Sequence, residues 1–262
     1  MTGLFASIGV DLAREDLRQF TMSIVTAGVA VTLSRRFCDH IWTDASGARV
    51  VARARWGRIH HMQPSLAGGA VAVACENIRL IDDRTAVMDL LDETDGGLVC
   101  PVAVHLEDHT ALHVAGGGLA RGQVTLSALA ETVELPPGDE AAPAATCGLV
   151  CDDLVRPGLA EPGWTPTARA RLHGTVRLAE LRTNTLTGEP FHWLRLRVHP
   201  HIDIDVAAPA STLPASPSPG APLRATATLT GRLDLQPDTL KKGRASSARG
   251  SETSDSSTHR SA

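Results

Sequence analysis

The strongest pattern in this chain is a strict alternation of apolar and polar residues in its second half. In "ARARLHGTVRL", residues 168–178, every even position except Gly174 is apolar, which predicts a half-buried β-strand with a bend or bulge at the glycine. The runs "FHWLRLRV" (191–198), "IDIDV" (202–206) and "LRATATLTGRLDL" (223–235) alternate in the same way. They predict further strands, separated by "RTNTLTG", by "HPH" and by a Pro-rich loop.

The first half mixes helical and strand patterns. Asp11 can cap a helix over "LAREDLRQF", and "TLSRRFCDHIW" and "ARVVARARW" flank the turn "TDASG", which predicts a hairpin. "GGAVAVACENIRLI" and "GLVCPVAVHL" predict two more strands, with "AVMDLLDE" as a short helix between them. "QVTLSALAETVEL" fits either a strand or a short helix. The run "FTMSIVTAGVAVTL" is too short to cross a bilayer and follows acidic residues, so we expect one buried element and no membrane segment.

A change of composition divides the chain. Residues 136–167 are rich in Pro, Gly and Ala and predict a linker or long loop. The predicted fold class is therefore α+β, mostly β: an acidic mixed domain with an antiparallel sheet at 1–135, and a small β-barrel at 168–236. Residues 237–262 lack an apolar stripe and are expected to be disordered. Residues 43–55 and 183–197 share a turn followed by an arginine-bearing strand, so an internal duplication is one interpretation.

The second unit resembles a known class of small β-barrels. The order "HGTVRLAELRTNTLTGEPFHWLRLRV", "IDIDV" and "GAPLRATATLTGRL" is similar to the OB-fold class. The resemblance covers residues 168–236 and rests on the strand pattern, without a diagnostic motif. Many OB domains bind single-stranded nucleic acid or oligosaccharide, so the resemblance implies that one face of the barrel binds a partner.

Charge and cysteine content indicate which partners and which cellular compartment to expect. Residues 1–165 carry 12 Arg and 21 acidic residues, a net charge of −9, whereas residues 166–236 carry 8 Arg and 5 acidic residues, a net charge of +3. Neither value is extreme enough to require a nucleic-acid partner. Arg outnumbers Lys by 23 to 2, which is typical of a high-GC bacterial genome and reduces the weight of arginine counts. The 5 scattered cysteines predict reduced thiols and a cytoplasmic protein.

One face of the second unit combines aromatic rings, on which bases can stack, with guanidinium groups for phosphates. The candidate nucleic-acid or partner-binding residues are Phe191, Trp193, Arg195, Arg197, Arg169 and Arg171.

The same arginines can instead be paired with acidic residues on the next strand. If "HPH" is a three-residue loop, Val198 lies opposite Ile202, and Arg197 and Arg195 lie opposite Asp203 and Asp205. We expect this pairing, because strand register and charge both favour it. The face would then carry little net charge, and Trp193 would cover a barrel end or contact the first unit.

A metal site and a catalytic site are both weakly signalled. His105, His109 and His113 are four residues apart, a spacing that would align three imidazoles for Zn²⁺ on a helix. However, "VCPVAVHL" predicts a strand that runs into a turn at "EDHT", so we predict no metal and no cofactor. Cys147 and Cys151 have no second cysteine pair at a matching distance. The chain contains no G-x-S-x-G, P-loop, G-x-G-x-x-G or H-E-x-x-H motif.

The sequence favours a non-enzymatic binding or accessory protein that uses a β-barrel surface for a macromolecular partner, with a protein as the expected partner. One alternative is a single-stranded nucleic-acid-binding protein that uses the Trp193, Arg195 and Arg197 face. The other is an enzyme whose site lies between the two units, built from residues too dispersed to identify in one sequence.

Overall fold

The computed structural model describes residues 2–68, 70–136, 148–154 and 165–234. The predicted mostly-β class is confirmed, as is an antiparallel sheet near the N-terminus. The helices are α1 (Thr2–Ala6), α2 (Leu17–Ala27) and α3 (His109–Val114), with a 3-10 turn at Ala210–Thr212. The strands are β1 (Val29–Thr32), β2 (Phe37–Thr43), β3 (Ala48–Arg55), β4 (Arg58–Leu66), β5 (Val73–Leu80), β6 (Thr85–Leu91), β7 (Leu98–Leu106), β8 (Gly118–Glu134), β9 (Leu149–Val150), β10 (Arg169–Thr183), β11 (Pro190–His199), β12 (Ile202–Pro209) and β13 (Pro222–Leu233).

The longest helix, α2, begins later than the sequence pattern predicts. Asp11 heads a turn, and α2 starts after Asp16, whose carboxylate accepts hydrogen bonds from the N–H groups of Arg18 and Gln19 at 2.9 and 3.1 Å. The predicted cap at Asp11 is therefore wrong, because the second of two available acidic caps is used. None of the helices in the described ranges has the length and hydropathy needed to cross a bilayer.

The apolar run 20–33 is divided between a helix and a strand. The helix α2 buries Phe20 and Ile24, and it ends where the N–H of Gly28 donates to the carbonyl of Ile24 at 2.9 Å. A Cβ on Gly28 would lie 2.6 Å from that carbonyl oxygen, so a side chain would force the backbone apart. The chain then turns into β1, all four residues of which are exposed. The prediction of one buried element is wrong, because the run changes both direction and environment at Gly28.

The predicted helix "AVMDLLDE" is also wrong, since most of it forms β6. This strand pairs with β5 on one side and β7 on the other, and every residue in it except Asp89 is buried. A strand buried on both faces loses the period of two, so periodicity alone does not separate it from a buried helix. The ambiguous segment "QVTLSALAETVEL" is a strand, the greater part of the 17-residue β8.

The strands form two sheets. The first is antiparallel, in the order β1-β2-β3-β4, and contains the predicted hairpin, in which Gly47 adopts a φ of 90° and donates its N–H to the carbonyl of Asp44 at 2.9 Å. The second is a nine-stranded mixed sheet in the order β11-β12-β8-β5-β6-β7-β13-β10-β9, with additional pairings of β11 with β10 and of β8 with β13.

These additional pairings close two circuits of five strands each. One circuit runs β5-β6-β7-β13-β8 and back to β5, and the other runs β10-β11-β12-β8-β13 and back to β10. The two long strands β8 and β13 belong to both circuits and are antiparallel to each other. In addition, β8 runs parallel to β12, and β13 runs parallel to β7. Each circuit is thus completed by a strand from the other half of the chain.

The same order of elements occurs twice in the chain. Residues 73–134 and 169–233 each contain three meandering strands, a short helical segment and one long strand. This repeat does not coincide with the weak similarity between residues 43–55 and 183–197. Because β8 hydrogen-bonds to β12 and β13, strands from both sides of the proposed linker share one hydrophobic core. The division into units at 1–135 and 168–236 stays a prediction.

The proposed linker and tail are only partly covered by the structure. Within 136–167, β9 pairs with β10, and Leu149 and Cys151 are buried in the large core. Residues 137–147, 155–164 and 235–262 lie outside the described residues, so the expectations for the remainder of the linker and for the tail are not addressed.

A second core joins the N-terminal segment to the outer face of β11 and β12. Phe20, Trp42 and Val50 contribute from the N-terminal side, and Phe191 and Trp193 contribute from β11. Both N-terminal helices and the strands β2, β3 and β4 therefore pack over the face of β11 that carries the predicted aromatic residues.

Candidate functional site

The hairpin of β11 and β12 has the charge pairing that the sequence predicts. Arg195 lies opposite Asp205 and Arg197 lies opposite Asp203, with Nε–Oδ1 distances of 2.9 and 2.7 Å. In both pairs a second hydrogen bond runs from Nη2 to Oδ2, at 3.3 and 3.0 Å. The hydrogen bond to Asp205 raises the pKa of Arg195, and the hydrogen bond to Asp203 raises the pKa of Arg197. The predicted pairing is confirmed.

One detail of the register differs. Val198 was expected opposite Ile202, but a β-bulge between Arg197 and His199 places His199 there instead. The extra residue lets the chain turn tightly while both arginines remain opposite their carboxylates.

Asp205 is buried beside Gly68 and Ala70, in the connection between β4 and β5. Its Oδ2 atom accepts a hydrogen bond from the N–H of Ala70 at 3.1 Å, and the side chain has no exposed surface. A Cβ on Gly68 would lie 2.0 Å from the same oxygen, so only glycine permits this approach. The Arg195–Asp205 pair therefore links β11 to β12 and also contacts the segment that connects the first sheet to the second.

The two predicted aromatic residues lie in the second core. Phe191 is fully buried and Trp193 is 4% exposed. The guanidinium carbon of Arg182 lies 3.9 Å from the centroid of the Trp193 ring, and that of Arg195 lies 5.3 Å from it. Arg182 also donates to the carbonyl of Ser46 at 3.0 Å, which fixes it against the first sheet. The ring faces of Trp193 are thus occupied by the protein's own side chains.

The remaining predicted arginines are exposed but paired. Arg169 forms an ion pair with Glu131 at 3.1 Å, and the Nε of Arg171 donates to both carboxylate oxygens of Asp152, at 3.1 and 2.9 Å. All four arginines of the predicted face therefore have a carboxylate partner, and the structure does not bring the six residues together as one open surface.

The three histidines of the metal alternative are on two elements. His105 lies on β7, whereas His109 and His113 lie on α3 with their rings stacked at 6.3 Å between centroids. The Nε2 atom of His109 lies 2.8 Å from the carbonyl of Asp82. Within the described residues, no group of three or more His, Cys, Asp or Glu side chains is arranged to hold a metal ion. Cys147 lies outside the described residues.

A buried polar cluster joins the two sheets. Glu107 accepts hydrogen bonds from the hydroxyl of Ser65 and from Nη1 of Arg49, the latter at 2.9 Å. Ser65 also bonds to Thr230 at 3.2 Å, and Thr230 bonds to Ser127 at 2.7 Å. A serine beside a carboxylate is a pairing that covalent catalysis can use. However, Ser65 and Thr230 have no exposed surface, so this arrangement holds the sheets together and gives a substrate no access.

The same interface holds an arginine among neutral histidines. Arg53 is 2% exposed, and its Nη2 donates to Gln63 at 2.9 Å and to the carbonyl of Leu106 at 2.5 Å. Its Nε and Nη1 atoms have no partner among the described residues. Burial, and then the charge of neighbouring arginines, lowers the pKa of His61 and of His105 to about 4. Both imidazoles are therefore neutral at pH 7.

A surface cleft of about 600 Å³ lies beside β5 and β6. Asn77, at a bulge in β5 with a φ of 55°, donates to Asp89 at 2.8 Å, and Arg79 also lines the cleft. No histidine, cysteine or serine occurs among the described residues that line it.

The most distinctive exposed surface is formed by two turns of the first sheet. The turn between β3 and β4 and the turn between β1 and β2 are adjacent, since the N–H of Trp56 donates to the carbonyl of Arg36 at 2.9 Å. Trp56 is 62% exposed, and the guanidinium carbon of Arg36 lies 5.1 Å from its ring centroid. We call this surface the arginine–tryptophan surface; it comprises Arg35, Arg36, Arg55, Trp56 and Arg58, all of them exposed.

The arginines of this surface differ from those of the predicted face. No ion pair in the described part of the chain involves Arg35, Arg36, Arg55 or Arg58. Four unneutralised guanidinium groups in two adjacent turns produce a local positive potential, although residues 1–165 as a whole are acidic.

The backbone at Trp56 is unusual for a large aromatic residue. Trp56 has a φ of 55° and Gly57 a φ of 72°, so the turn uses two consecutive left-handed residues. Such a conformation costs about 1–3 kcal/mol for a residue other than glycine, and strained residues of this kind cluster at functional sites. Because Trp56 is mostly exposed, core packing does not explain its presence here.

A second aromatic group continues the surface towards α3. The guanidinium carbon of Arg55 lies 5.8 Å from the centroid of the half-buried Phe37 ring. His113, which is exposed, meets Phe37 edge to face at 5.9 Å between centroids. Cationic and aromatic groups therefore alternate from the turn at Trp56 to the helix α3.

Sequence reasoning missed this surface because it did not identify β4. Without β4, "ARVVARARW" is simply the second strand of a hairpin, and Trp56 is placed at the end of that strand and not in a turn. The signal was present: the "WG" dipeptide lies between Arg55 and Arg58, and "SRRF" precedes the partner strand.

No family model, curated protein or solved structure matches this chain. The geometry of its own residues is therefore the basis for assigning a function.

Proposed function

We propose that this chain is a non-enzymatic binding or accessory protein that holds an anionic macromolecular partner on the arginine–tryptophan surface. The observation that carries this proposal is the exposed Trp56 among four arginines that have no ion pair within the described residues. Trp and Arg are the residue types most enriched among those that dominate binding energy at interfaces. An exposed tryptophan in a strained turn lowers the stability of the fold, and a binding role accounts for its presence there.

The fold is consistent with a binding role. We infer that each five-strand circuit is a small barrel of the OB-like kind, in which a sheet closes on itself and leaves loops and one face for ligands. In this proposal the barrel assigned to residues 168–236 is completed by β8 from the first half of the chain. The first sheet and helices cover the outer face of that barrel at Trp193, so the binding surface is carried by the covering layer instead.

The test compares two pairs of arginines with equal charge. In Arg35→Gln/Arg58→Gln, two arginines of the arginine–tryptophan surface are neutralised. In the control Arg169→Gln/Arg171→Gln, two exposed but ion-paired arginines are neutralised. Retention of the full-length protein on immobilised heparin, poly-L-glutamate and single-stranded oligonucleotide is measured at about 50 mM KCl. We expect retention on at least one polymer, lost in the first variant and kept in the second.

Two results would contradict the proposal. Wild-type protein that passes all three polymers at low salt has no anion-binding surface of the kind described. Retention that is lost in the Arg169/Arg171 variant and kept in the Arg35/Arg58 variant would place the binding surface on β10.

A further inference from the structure

We propose that the partner of the arginine–tryptophan surface is single-stranded nucleic acid, with bases stacked on Trp56 and phosphates held by the surrounding arginines. The inference rests on the proposed function and names its ligand. It moves the nucleic-acid site from the face of β11, where the rings are buried, to the turn between β3 and β4, where the ring is open to solvent.

The charge pattern distinguishes this surface from the face of β10 and β11 that the sequence predicted. Arg169, Arg171 and Arg197 each donate to a carboxylate, which already occupies the guanidinium donors that a phosphate would need. Arg35 and Arg58 lie in the two adjacent turns that meet at Trp56, and neither has such a partner within the described residues. At about 0.1 M salt the Debye length is about 10 Å, so remote acidic residues of the N-terminal segment do not cancel this local field.

The aromatic groups favour nucleic acid over an acidic protein. A glutamate-rich partner can use the arginines, but it has no π face to lie against an indole. Every nucleobase has one, and base–aromatic stacking is the sequence-tolerant part of single-strand recognition. Phe37, which lies under Arg55 and meets His113 edge to face at 5.9 Å, extends the aromatic surface from Trp56. Trp56 is thus the ring on which a base can stack, and the arginines of the two turns lie where they can bind the adjoining phosphates.

A single strand fits this surface better than a duplex. The surface is formed by two adjacent turns and the side of a helix of six residues, and none of these places a helix or two-stranded ribbon for insertion into a major groove. In a duplex the base faces are stacked on each other and are not available to Trp56. We therefore expect the protein to prefer single strands to duplexes of the same length.

The experiment measures the anisotropy of a fluorescein-labelled 20-residue oligothymidylate against full-length protein over a series of KCl concentrations. We expect Trp56→Ala to weaken binding roughly 5- to 150-fold, the loss typical of one stacked base, and Trp56→Phe to restore part of it. Arg35→Gln/Arg58→Gln should reduce the slope of log K against log[KCl] by about 1.4, since each phosphate contact on a single strand contributes about 0.7. Arg169→Gln/Arg171→Gln should leave both quantities unchanged.

The outcomes separate the ligand from the site. If poly-L-glutamate binds and the oligonucleotide does not, or if Trp56→Ala binds the oligonucleotide as tightly as wild type, the nucleic-acid inference is wrong while the proposed anion-binding function stands. If the protein prefers the duplex, stacking on Trp56 is not the mechanism, and the inference is also wrong. Failure to bind any anionic polymer overturns both. Because Trp56 is exposed, its variants are expected to fold, which circular dichroism checks.

Discussion

Replacing Trp193 with alanine separates a core tryptophan from a binding tryptophan. Trp193 is 4% exposed, packs with Phe191 and Leu129 in the second core, and lies under Arg182 at 3.9 Å. Truncation of a buried tryptophan typically costs about 3–5 kcal/mol of unfolding free energy. Loss of the cation–π contact with Arg182 adds about 0.5–2 kcal/mol.

One feature acts in the opposite direction. The indole Nε1 of Trp193 is buried and has no hydrogen-bond acceptor among the described residues. An unsatisfied buried donor costs about 1–3 kcal/mol, and this cost disappears in either the alanine or the phenylalanine variant. We therefore expect Trp193→Ala to lose about 3–4 kcal/mol, and Trp193→Phe to lose about 1 kcal/mol or less because it keeps most of the ring volume.

The assay is urea denaturation followed by far-ultraviolet circular dichroism, with the free energy of unfolding extrapolated to water. The matched control is Trp56→Ala, which removes the same side chain from an exposed turn and should change the unfolding free energy by no more than about 0.5 kcal/mol. If Trp193→Ala is as stable as wild type and binds oligonucleotide less tightly, the ring faces a ligand in solution. The packing of the first sheet over β11 would then be refuted.

Four further results are expected. Asp205→Asn should destabilise the protein by about 3 kcal/mol because its buried carboxylate holds Arg195, whereas Asp203→Asn, in the more exposed pair, should cost less than about 1 kcal/mol; equal losses in thermal denaturation would contradict the difference in burial. The unfolding free energy should fall as the pH is lowered from about 6.5 to 4, because His61 and His105, each with a folded-state pKa of about 4, stay neutral while the unfolded chain takes up protons. Each histidine contributes up to about 1.4 kcal/mol per pH unit in that window. In urea denaturation of His105→Gln, the slope of the unfolding free energy against pH should therefore be smaller by the contribution of one histidine. The pKa of Asp108, raised to about 6 by burial and then by Glu107, opposes this trend between about pH 4 and 6, so a pH-independent stability in Asp108→Asn would contradict the histidine contribution. Cleavage at a protease site inserted between residues 140 and 141 should leave two fragments that co-elute in gel filtration, since β8 pairs with β12 and β13 across the cut; separation into two folded fragments would support independent domains. Purified protein should carry no stoichiometric zinc by elemental analysis, and zinc lost on mutating His109 would overturn that expectation.

The sequence predicted the β2–β3 hairpin and the hairpins of the second half, but it missed the hairpins that involve β4 and β6 and gave no long-range pairing. Alternation identified β10, β11, β12 and β13, and it placed β11 beside its two sequence neighbours, β10 and β12, with which it pairs. The charges of "LRLRV" and "IDIDV" further identified which residues face each other across the turn. Such information lies within about twenty residues and is readable from one sequence.

The pairing partners of the long strand β8 could not be predicted from local sequence patterns. Its partners are β5, β12 and β13, which are separated from it by up to about a hundred residues. Nothing in "QVTLSALAETVEL" specifies them, because a strand buried among three others has only its apolar character to display. The proposed barrel at 168–236 therefore lacked its fifth strand, and a composition change was the only guide to a domain boundary.

The candidate site was misplaced for a related physical reason. Arg195 and Trp56 both lie in segments where arginines alternate with apolar or aromatic residues. In the structure, however, Arg195 is neutralised by the buried carboxylate of Asp205, whereas Trp56 projects from a turn. Alternation reports which face a side chain takes on its own strand, but not what covers that face. On β11 the cover is the N-terminal segment, which adds Trp42 and Val50 above Trp193 and converts an apparent binding face into a core. A turn residue has no opposite face to be covered by a neighbouring strand, and Trp56, at a left-handed turn position, is 62% exposed. Exposed aromatic residues in tight turns are for that reason better candidates for a binding site, in a chain of this kind, than aromatic residues within an alternating strand.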